Sequence, residues 1–392
     1  MRQRVAHVIT RCTAGAGGVA VRGALSLPRD RYESTLIAGS GDVLLDAARE
    51  QGVEVIVVPE LVSPISPVRD ARALSILTEL MRGEAFDVVH THSAKAGVLG
   101  RVAASRSGAG RIVHTLHGFP WHEFQPAPVR GTYVRIERRL SRITDSYLAV
   151  GTAVAVEAVR RRIARPEQII TIGPAVDAPT VTLSPATRLR ARALLGLSEG
   201  DLVVGTVGRM DYQKAPEVLL DAIARMARPA RLVWVGGGPL AETVAARARR
   251  LGLGDRVLLL GHREDVPLLL PAFDVFAMSS RYEGLPCAIV EAQACGIPVV
   301  ATAVNAVPDV VVPGESGMLV APQDAGQLAA ALDFALGHPA TAARWADTAA
   351  RRLGERYDTR TLGQTLREVY SGPDEPTTPS ALTPVHPWGA AS

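Results

Sequence analysis

The chain has 392 residues, of which 47% are hydrophobic and 21% charged, and its formal net charge is +4. This composition is sufficient for two folded domains and excludes wholesale disorder. No apolar run reaches the roughly 18 residues that a membrane-spanning helix needs. Aromatic residues make up only 4%. That argues against a nucleic-acid partner, since such interfaces interleave basic and aromatic side chains.

The three cysteines, Cys12, Cys287 and Cys295, cannot all be paired and fit no metal-binding spacing. We therefore expect a reducing, cytoplasmic location. Only two of the 43 basic residues are lysines, Lys95 and Lys214. In a chain so biased towards arginine, each lysine is a candidate for a specific function, although chance retention remains open.

Short apolar segments alternate with helix-period segments along nearly the whole chain. Continuous apolar strands with helices between them indicate parallel sheets that are covered on both faces. In the first half, the predicted strands are 4–10, 34–38, 53–58, 87–91, 111–116 and 146–150, with helices at 42–51, 68–82 and 94–105. In the second half, the predicted strands are 202–207, 231–235, 256–260, 274–278 and 298–301, with helices at 215–227, 240–251 and 286–294.

The alternation pauses at residues 173–199, where Pro, Ser and Thr predict a linker. We therefore predict an α/β fold of two doubly wound parallel-sheet domains, 1–178 and 179–356, that face each other across a cleft. A helix over 357–372 is expected to pack back on the N-terminal domain, and the Pro-rich tail 373–392 is expected to be disordered. Open α/β sheets bind ligands at the carboxyl ends of their strands, so the cleft is the expected site.

A glycine-rich turn at residues 13–20 follows the first strand and fits the pattern G-x-G-x-x-A. This pattern is typical of nicotinamide-dinucleotide sites, which also need an acidic residue at the end of the second strand. That strand ends Ala38-Gly39-Ser40, without one. An NAD-dependent oxidoreductase therefore depends on this turn alone, and such turns also serve tight packing. Free N–H groups at a helix start nevertheless attract an anion.

Two further loops carry charge at the carboxyl ends of predicted strands. Arg209 and Lys214 flank the first loop and are suited to grip a diphosphate, although a solvated helix start with incidental charges is the alternative. In the second loop, Glu283 and Gly284 precede Pro286, which suits a first helical position. The N–H groups there favour a phosphate. Glu291, among apolar neighbours, can accept hydrogen bonds from a ribose, whereas a surface acid is the alternative.

Residues 282–301, with Glu283 and Glu291 separated by seven residues, closely resemble the E-x7-E motif of family 4 retaining glycosyltransferases of GT-B fold. The resemblance extends to residues 208–214, 235–240 and 260–265. Residues 91–101 and 114–120 resemble members that use UDP-sugars for surface polysaccharides. Together the similar segments cover nearly everything except the tail, and they imply an N-terminal acceptor domain and a C-terminal donor domain.

The resemblance implies a role for each matching residue. Gly17 and Gly18 would let the backbone approach the donor's distal phosphate, while Arg209 and Lys214 would neutralise the leaving diphosphate. Glu283 and the backbone amides of Gly284 and Leu285 would contact the hydroxyls of the donor sugar. Glu291 would hold the ribose, and His117 would lie beside the reacting sugar. Arg263 belongs to the loop that would line the base pocket. For His117, a local hydrogen bond at a strand end is the alternative.

The sequence departs from the family pattern at two places. Ala215 stands where a glycine usually follows the motif lysine, and Pro174-Ala175 replaces the usual Asn-Gly at the domain exit. The first departure concerns the backbone approach to phosphate, and the second concerns the hinge contacts.

We therefore expect a bacterial, retaining glycosyltransferase. It would move a hexose or N-acetylhexosamine from a nucleotide-sugar, UDP-linked, to a saccharide, lipid-linked glycan or natural-product hydroxyl. No cofactor and no metal are expected, since the chain has no Asp-x-Asp pair. The alternatives are the NAD-dependent oxidoreductase and a non-catalytic sugar-nucleotide-binding protein.

Two weaker features concern the acceptor side. Lys95, at a helix start, is a candidate contact for an anionic acceptor, and solvated surface is the alternative. Apolar residues at helical spacing from Val129 to Leu140, set among five arginines, suit either peripheral contact with the inner face of a membrane or an ordinary helix on its sheet.

Overall fold

The computed structural model describes residues 2–13, 15–173, 181–284, 286–356 and 359–372. Three segments named above lie outside the described residues. They are Pro174-Ala175 at the domain exit, Leu285, and the Pro-rich tail 373–392. The described chain forms two α/β units, each built on a parallel sheet. The predicted fold class is therefore confirmed.

The N-terminal sheet has seven strands in the order β3-β2-β1-β4-β5-β6-β7. Its central strands are almost wholly buried, because apolar side chains point to helices on both faces. The strands are β1 Gln3–Cys12, β2 Tyr32–Gly41, β3 Glu54–Val57, β4 Val88–His92, β5 Arg111–Leu116, β6 Ser146–Ala149 and β7 Ile169–Thr171. The helices are α1 Ala16–Leu25, α2 Val43–Glu50, α3 Pro67–Glu84, α4 Ala94–Ser107, α5 Ala127–Leu140 and α6 Thr152–Arg160.

The C-terminal sheet has six strands in the order β10-β9-β8-β11-β12-β13. The strands are β8 Val203–Val207, β9 Arg231–Val235, β10 Val257–Leu259, β11 Val275–Met278, β12 Val299–Thr302 and β13 Met318–Val320. The helices are α7 Pro185–Leu194, α8 Pro216–Arg225, α9 Ala241–Arg250, α10 Val266–Leu269, α11 Cys287–Cys295, α12 Val307–Val310, α13 Ala325–Gly337 and α14 Pro339–Arg356. The last helix, α15, spans Thr359–Ser371.

The predicted linker is wrong over its second half, because α7 lies within it. Ser184 caps this helix by accepting a 3.1 Å hydrogen bond from the Thr187 amide. The Arg192 guanidinium is buried and lies 2.9 Å from a carboxylate oxygen of Asp274. The Pro, Ser and Thr content that indicated a linker therefore includes an N-terminal helix signal.

Two edge strands, β7 and β13, were not predicted from the sequence. Each has three residues, too few for a period-2 pattern to be recognised. Pro286 was predicted at the first helical position. In the structure it is the residue that precedes α11.

The last helix returns to the N-terminal unit. In α15 the Tyr370 hydroxyl is 2.6 Å from Nδ1 of His90 in β4. A Cβ on Gly363 would lie 2.6 Å from the carbonyl oxygen of Ser26, so the backbone of α15 packs closely beside the end of α1. The helix before it, α14, buries Trp345 and Leu353 in the C-terminal unit.

In both parallel sheets the order in which strands are added reverses beside the first strand, between β1 and β4 and between β8 and β11. Ligands of open α/β sheets bind at such reversal points. The loops that follow β1, β5, β8 and β11 therefore meet between the two units.

Candidate active site

A cavity of about 770 Å³ lies between the two units. The loop after β1, the residue after β5, the loops after β8 and β11, and the start of α11 all contribute to its wall. Of the site residues predicted from the sequence, the structure brings together His117, Arg209, Lys214, Arg263, Glu283, Gly284 and Glu291.

Glu283 and Lys214 form an ion pair at the centre of this cavity. The two carboxylate oxygens of Glu283 accept hydrogen bonds from Lys214 and Ser280 on one side and from Gln213 on the other, the last at 3.0 Å. The Glu283 side chain is only 5% exposed. Its backbone amide donates to Asn305 Oδ1 at 2.8 Å. Both the position and the orientation of the carboxylate are therefore fixed.

Arg209 lines the same cavity, but its side chain is 62% exposed and lies 3.9 Å from Asp211. It is therefore free to swing onto a ligand. Ala215, directly after Lys214, is buried with φ 46 and ψ 56. This left-handed conformation is one that glycine adopts without steric cost. The departure noted in the sequence thus falls on a position that strains any other residue.

Glu291 projects from α11 into the same cavity. Burial raises its pKa, and the nearby Arg22 guanidinium of α1 partly opposes this shift. Cys287, one turn earlier on α11, has its pKa raised to about 11 by burial and by the Glu291 charge. The thiol is therefore protonated at neutral pH and is not a nucleophile.

The glycine-rich turn reaches the cavity through Thr13, Gly15 and Ala16. Gly17 and Gly18 are buried behind this wall. A Cβ on Gly17 would lie 2.9 Å from the backbone of Cys12, and one on Gly18 would lie 2.9 Å from Nη2 of Arg22. Both glycines are therefore required for close packing, and the turn faces the cavity with the residues before them.

His117 is the residue after β5 and lies on the wall of both the 770 Å³ cavity and a second one of about 640 Å³. Its Nε2 is 3.1 Å from Nδ1 of His92. Burial lowers its pKa to about 4, so the ring is neutral at physiological pH. A Cβ on Gly284 would lie 1.9 Å from the His117 carbonyl oxygen, so the two units touch here.

Comparisons with known proteins agree with this geometry. Residues 13–178 match the model of Glycosyltransferase Family 4, and residues 201–338 match that of Glycosyl transferases group 1. The chain is 30% identical over 313 residues to the UDP-Gal:alpha-D-GlcNAc-diphosphoundecaprenol alpha-1,3-galactosyltransferase of Escherichia coli, a match that covers 77% of this chain and 80% of the relative.

This chain belongs to glycosyltransferase family 4.

Other relatives agree with this assignment. The D-inositol 3-phosphate glycosyltransferase of Mycobacterium sp. (strain KMS) is 35% identical over 276 residues, which is 66% of this chain and 61% of that protein. Anabaena HepE, solved in complex with UDP and glucose, superposes with a TM-score of 0.83 at 23% identity, over 94% of this chain and 100% of that one. The chain is thus a glycosyltransferase with the GT-B fold.

In this family 4 glycosyltransferase the second cavity lies across His117 and Gly284 from the first. Its wall joins both units through His122 and Tyr282, whose rings stack at 4.5 Å. Four arginines line it, namely Arg130, Arg160, Arg161 and Arg281. The two cavities therefore adjoin at the lining residues that they share, which include His117, Glu283 and Gly284.

Lys95 lies apart from the ion pair of Lys214. Its ammonium binds the Pro64 carbonyl oxygen and an Asp70 carboxylate oxygen, the latter at 2.6 Å. It lines a third cavity, of about 510 Å³, between α4 and α5. The alternative of a solvated surface lysine is wrong, because its side chain is only 13% exposed.

Arg263 lines the first cavity, and its guanidinium is engaged by Asp265 in two bonds of 2.7 and 2.6 Å. These bonds raise the pKa of the guanidinium. The side chain is therefore committed to its own loop, which leaves the loop backbone to face a ligand.

Several residues of the site were missed from the sequence. Arg11 and Thr13 line the cavity at the end of β1, Arg22 lies near Glu291, and Gln213 and Asn305 hold Glu283. Arg11 directly precedes the glycine-rich turn and Gln213 directly precedes Lys214, so adjacency to a recognised motif would have found these two. Asn305 gives no such signal, because it reaches Glu283 from the end of β12.

Among the described residues, one group has the geometry to be considered for a metal, namely His7, His90 and His92. Both ring nitrogens of His90 are already used, by Tyr370 at 2.6 Å and by Thr115 at 2.7 Å. We therefore assign no metal to it. Within the described ranges, no helix is both long enough and apolar enough to cross a membrane.

Proposed function

We propose that this glycosyltransferase moves a hexose or N-acetylhexosamine, with retention at the anomeric carbon, from a UDP-sugar to a hydroxyl of a saccharide or lipid-linked glycan. The observation that carries this proposal is the Lys214–Glu283 pair at the centre of the cleft cavity. The Escherichia coli relative is named for UDP-Gal and a diphosphoundecaprenol acceptor, and HepE was solved with UDP and glucose. Both names support a UDP-linked donor.

The donor is assigned to the 770 Å³ cavity by the chemistry of its wall. Glu291 accepts hydrogen bonds from the ribose hydroxyls, and the loop of Arg263 lines the base. The N–H groups of Gly15 and Ala16, at the start of α1, face the diphosphate. Leu285, which lies outside the described residues, keeps its proposed amide contact with the sugar.

The chemical step breaks the bond between the anomeric carbon and the phosphate oxygen, and it forms a bond from the acceptor oxygen to that carbon. Negative charge develops on the leaving diphosphate, so fixed cations there stabilise the transition state more than the ground state. Arg209 and Lys214 supply these cations without a metal ion or cofactor. A phosphate oxygen takes the acceptor's proton on the same face of the sugar.

In this proposal Glu283 positions the donor and is not the nucleophile. A carboxylate nucleophile needs a free oxygen directed at the anomeric carbon. Both oxygens of Glu283 already accept hydrogen bonds, from Lys214 and Ser280 on one and from Gln213 on the other. Such bonds hold the carboxylate in place.

The acceptor is assigned to the 640 Å³ cavity that His117 lines. Lys95, which lines the 510 Å³ cavity, is proposed as an additional contact for an anionic acceptor. The arginines that line the 640 Å³ cavity suit an acceptor that carries phosphate, which would compete with Glu157 for Arg160 and Arg161 and with Glu217 for Arg281. In the Escherichia coli relative the named acceptor carries a diphosphate. A natural-product hydroxyl without an anionic group would make less use of these side chains.

A peripheral membrane contact through α5 is part of the proposal. This helix turns Val134, Glu137 and Leu140 inwards, and Tyr133 packs on the core, so only part of the stripe predicted from the sequence is buried. Val129 and Ile136 are 42% and 37% exposed beside the arginines of the helix. An exposed apolar strip flanked by arginines suits an anionic lipid surface.

Cosedimentation with vesicles tests this contact. The wild type is expected to bind phosphatidylglycerol vesicles more than phosphatidylcholine vesicles, and the double variant Val129→Asp/Ile136→Asp is expected to lose that binding. Val156→Asp, at an exposed position of α6, is the matched control. Equal sedimentation with both lipids would remove the membrane contact from the proposal.

Transfer assays test the activity itself. A panel of UDP- and GDP-sugars is screened for thermal stabilisation, since a ligand that binds only the folded state raises the unfolding temperature. Transfer is then measured with saccharide and diphospholipid acceptors, and the anomeric configuration of the product is read by NMR. An inverted product would refute retention. Binding of UDP without transfer to any acceptor would favour the non-catalytic alternative. The NAD-dependent oxidoreductase is not favoured, because the chain belongs to glycosyltransferase family 4.

A further inference from the structure

Two buried histidines, His7 and His92, and the half-buried His117 connect the active site to the core of the N-terminal unit. His117 Nε2 is 3.1 Å from His92 Nδ1, and His92 Nε2 is 3.3 Å from His7 Nδ1. We call this series the histidine chain (His7, His92 and His117). His7 lies in β1 and His92 ends β4, so adjacent strands bring the rings together. At the far end, His7 Nε2 is buried and has no hydrogen-bond partner within the described part of the chain.

All three rings are neutral. Burial lowers the pKa of His7 and of His117 to about 4, and it also lowers the pKa of His92. A neutral imidazole has one N–H and one lone pair on opposite ring nitrogens. Each hydrogen bond in the series therefore fixes the next ring, and the whole chain has only two possible directions.

The unpartnered nitrogen of His7 decides between these directions. In one direction Nε2 carries a proton and becomes a buried N–H without an acceptor. In the other direction it carries only a lone pair. The ring lies against Gly23 and Leu366, since a Cβ on Gly23 would lie 3.4 Å from His7 Cε1 and 3.3 Å from Leu366 Cδ1. Orphaned buried N–H groups are rarer than under-satisfied acceptors, so the direction with the proton on His7 Nδ1 is favoured.

We propose that His7 and His92 are positioning residues which hold His117 as the Nδ1–H tautomer, so that the active-site wall presents a hydrogen-bond donor and not an acceptor. The protons run from His7 Nδ1 to His92 Nε2 and from His92 Nδ1 to His117 Nε2. Nδ1 of His117 makes no hydrogen bond to a described residue. Its N–H then suits a phosphate or hydroxyl oxygen at the boundary of the two cavities.

His90 packs against the histidine chain at a tilted angle but does not belong to it. Its ring centroid is 4.3 Å from that of His92, yet its nitrogens bond to Tyr370 and Thr115. Tyr370 is therefore a matched control position. Removing its hydroxyl perturbs a buried histidine of the same cluster without touching a bond of the histidine chain.

The first test needs no variant. The full chain is labelled with 15N-histidine, and long-range proton–nitrogen spectra report which ring nitrogen of each neutral histidine is protonated. Nδ1–H is expected for His117, His92 and His7. A proton on Nε2 of His117 would overturn the proposal. So would a stoichiometric zinc ion, found by elemental analysis, in the purified protein.

The second test uses His7→Phe, which keeps the ring but removes both nitrogens. His117 is expected to become a mixture of tautomers, and the KM for the UDP-sugar is expected to rise about fivefold with kcat unchanged, because only the competent fraction binds. Tyr370→Phe is expected to change neither. A wild-type His117 spectrum and KM in His7→Phe would contradict the proposal.

The kinetic part of this test rests on the proposed function, whereas the spectra do not. If the wild type shows the expected Nδ1–H pattern but no transferase activity, the proposed function is refuted and the tautomer assignment still holds. If His7→Phe fails to fold, the wild-type spectra and the polar variant His7→Gln still decide the direction of the chain.

Discussion

The Cα of Gly284 packs directly on the carbonyl oxygen of His117, and this is where the two units of the glycosyltransferase touch inside the cleft. A Cβ at position 284 would lie 1.9 Å from that oxygen. Glycine is required here by proximity, because its neighbour is backbone and cannot turn aside. The 770 Å³ and 640 Å³ cavities, which share His117 and Gly284 as lining residues, therefore adjoin at this backbone contact.

Gly284→Ala is therefore expected to push the units apart and lower kcat/KM by about a hundredfold, since a displacement of roughly 1 Å is sufficient for such a loss. The unfolding temperature is expected to change little, because the contact lies in a cleft. Steady-state kinetics and thermal unfolding measure the two quantities.

Gly83→Ala is the matched control for this change. Gly83 lies in α3 and a Cβ there meets nothing within 4 Å. This variant is expected to keep full activity and to gain up to about 1 kcal/mol in stability through helix propensity. Equal activity of Gly284→Ala and Gly83→Ala would contradict the packing argument.

Lys214→Ala is expected to lower kcat by about 10²- to 10³-fold, because it removes a fixed cation from the leaving diphosphate. It also leaves the Glu283 carboxylate buried without its ion-pair partner, which is expected to destabilise the fold by about 2–4 kcal/mol. Single-turnover kinetics and urea unfolding separate the two effects.

The double variant Lys214→Ala/Glu283→Gln distinguishes these two contributions. It is expected to regain much of the lost stability while remaining inactive. Arg249→Ala, at an exposed position of α9, controls for loss of a positive charge in the donor unit. A Lys214→Ala enzyme with wild-type turnover would remove the cation from the mechanism.

The Glu291 carboxyl group is expected to make the free energy of unfolding depend on pH. Because burial raises its pKa in the folded chain, the folded state holds this proton more tightly than the unfolded state does. The carboxyl group therefore contributes stability below the ordinary carboxyl pKa, and that contribution is lost as pH rises through the raised pKa. Glu291→Gln is expected to gain stability relative to the wild type over this range.

Urea unfolding of both proteins at pH 4.5 and at pH 7 measures the difference, with Glu242→Gln on the exposed face of α9 as the control. A difference between Glu291→Gln and the wild type that does not grow with pH would show that the acid is not desolvated. The same variant is expected to bind UDP more weakly, since it removes the carboxylate that we propose binds the ribose.

Ala215→Gly is expected to stabilise the protein by about 0.5–1 kcal/mol. Ala215 occupies the left-handed region at φ 46, where a side chain raises the free energy of the folded state by about 1–2 kcal/mol. Glycine removes this strain, but its greater conformational freedom in the unfolded chain offsets part of the gain in stability. Thermal and urea unfolding test this. A loss of stability would mean that the Ala215 methyl contributes more through packing than it costs in strain.

The fold and the meeting of charged loops in the cleft were accessible from the sequence for physical reasons, whereas the ion pair between Lys214 and Glu283 was not predicted. Alternating apolar runs specify buried parallel strands, and the carboxyl ends of such strands are where charged loops converge, so Arg209, Lys214 and Glu283 could be placed in one cleft. Gly17 and Gly18 were placed on the ligand side, whereas the structure buries them. A motif shows that glycine is needed but not which neighbour demands it.

Contacts that join distant segments were not accessible. Asn305 bonds to the Glu283 amide across 22 residues, and Tyr370 bonds to His90 across 280 residues. No spacing in the sequence encodes such pairs, because they depend on how complete helices and sheets pack. The helix at Pro185–Leu194 was hidden for a different reason, since its cap residues are the same types that form loops.

The placement of α15 has a mechanical consequence. Because α14 packs on the C-terminal unit and α15 on the N-terminal unit, the polypeptide passes between the units twice, once after β7 and once after α14. Any change in the separation of the two units is therefore restrained at two connections, and cutting either one is expected to remove one restraint on the opening of the cleft.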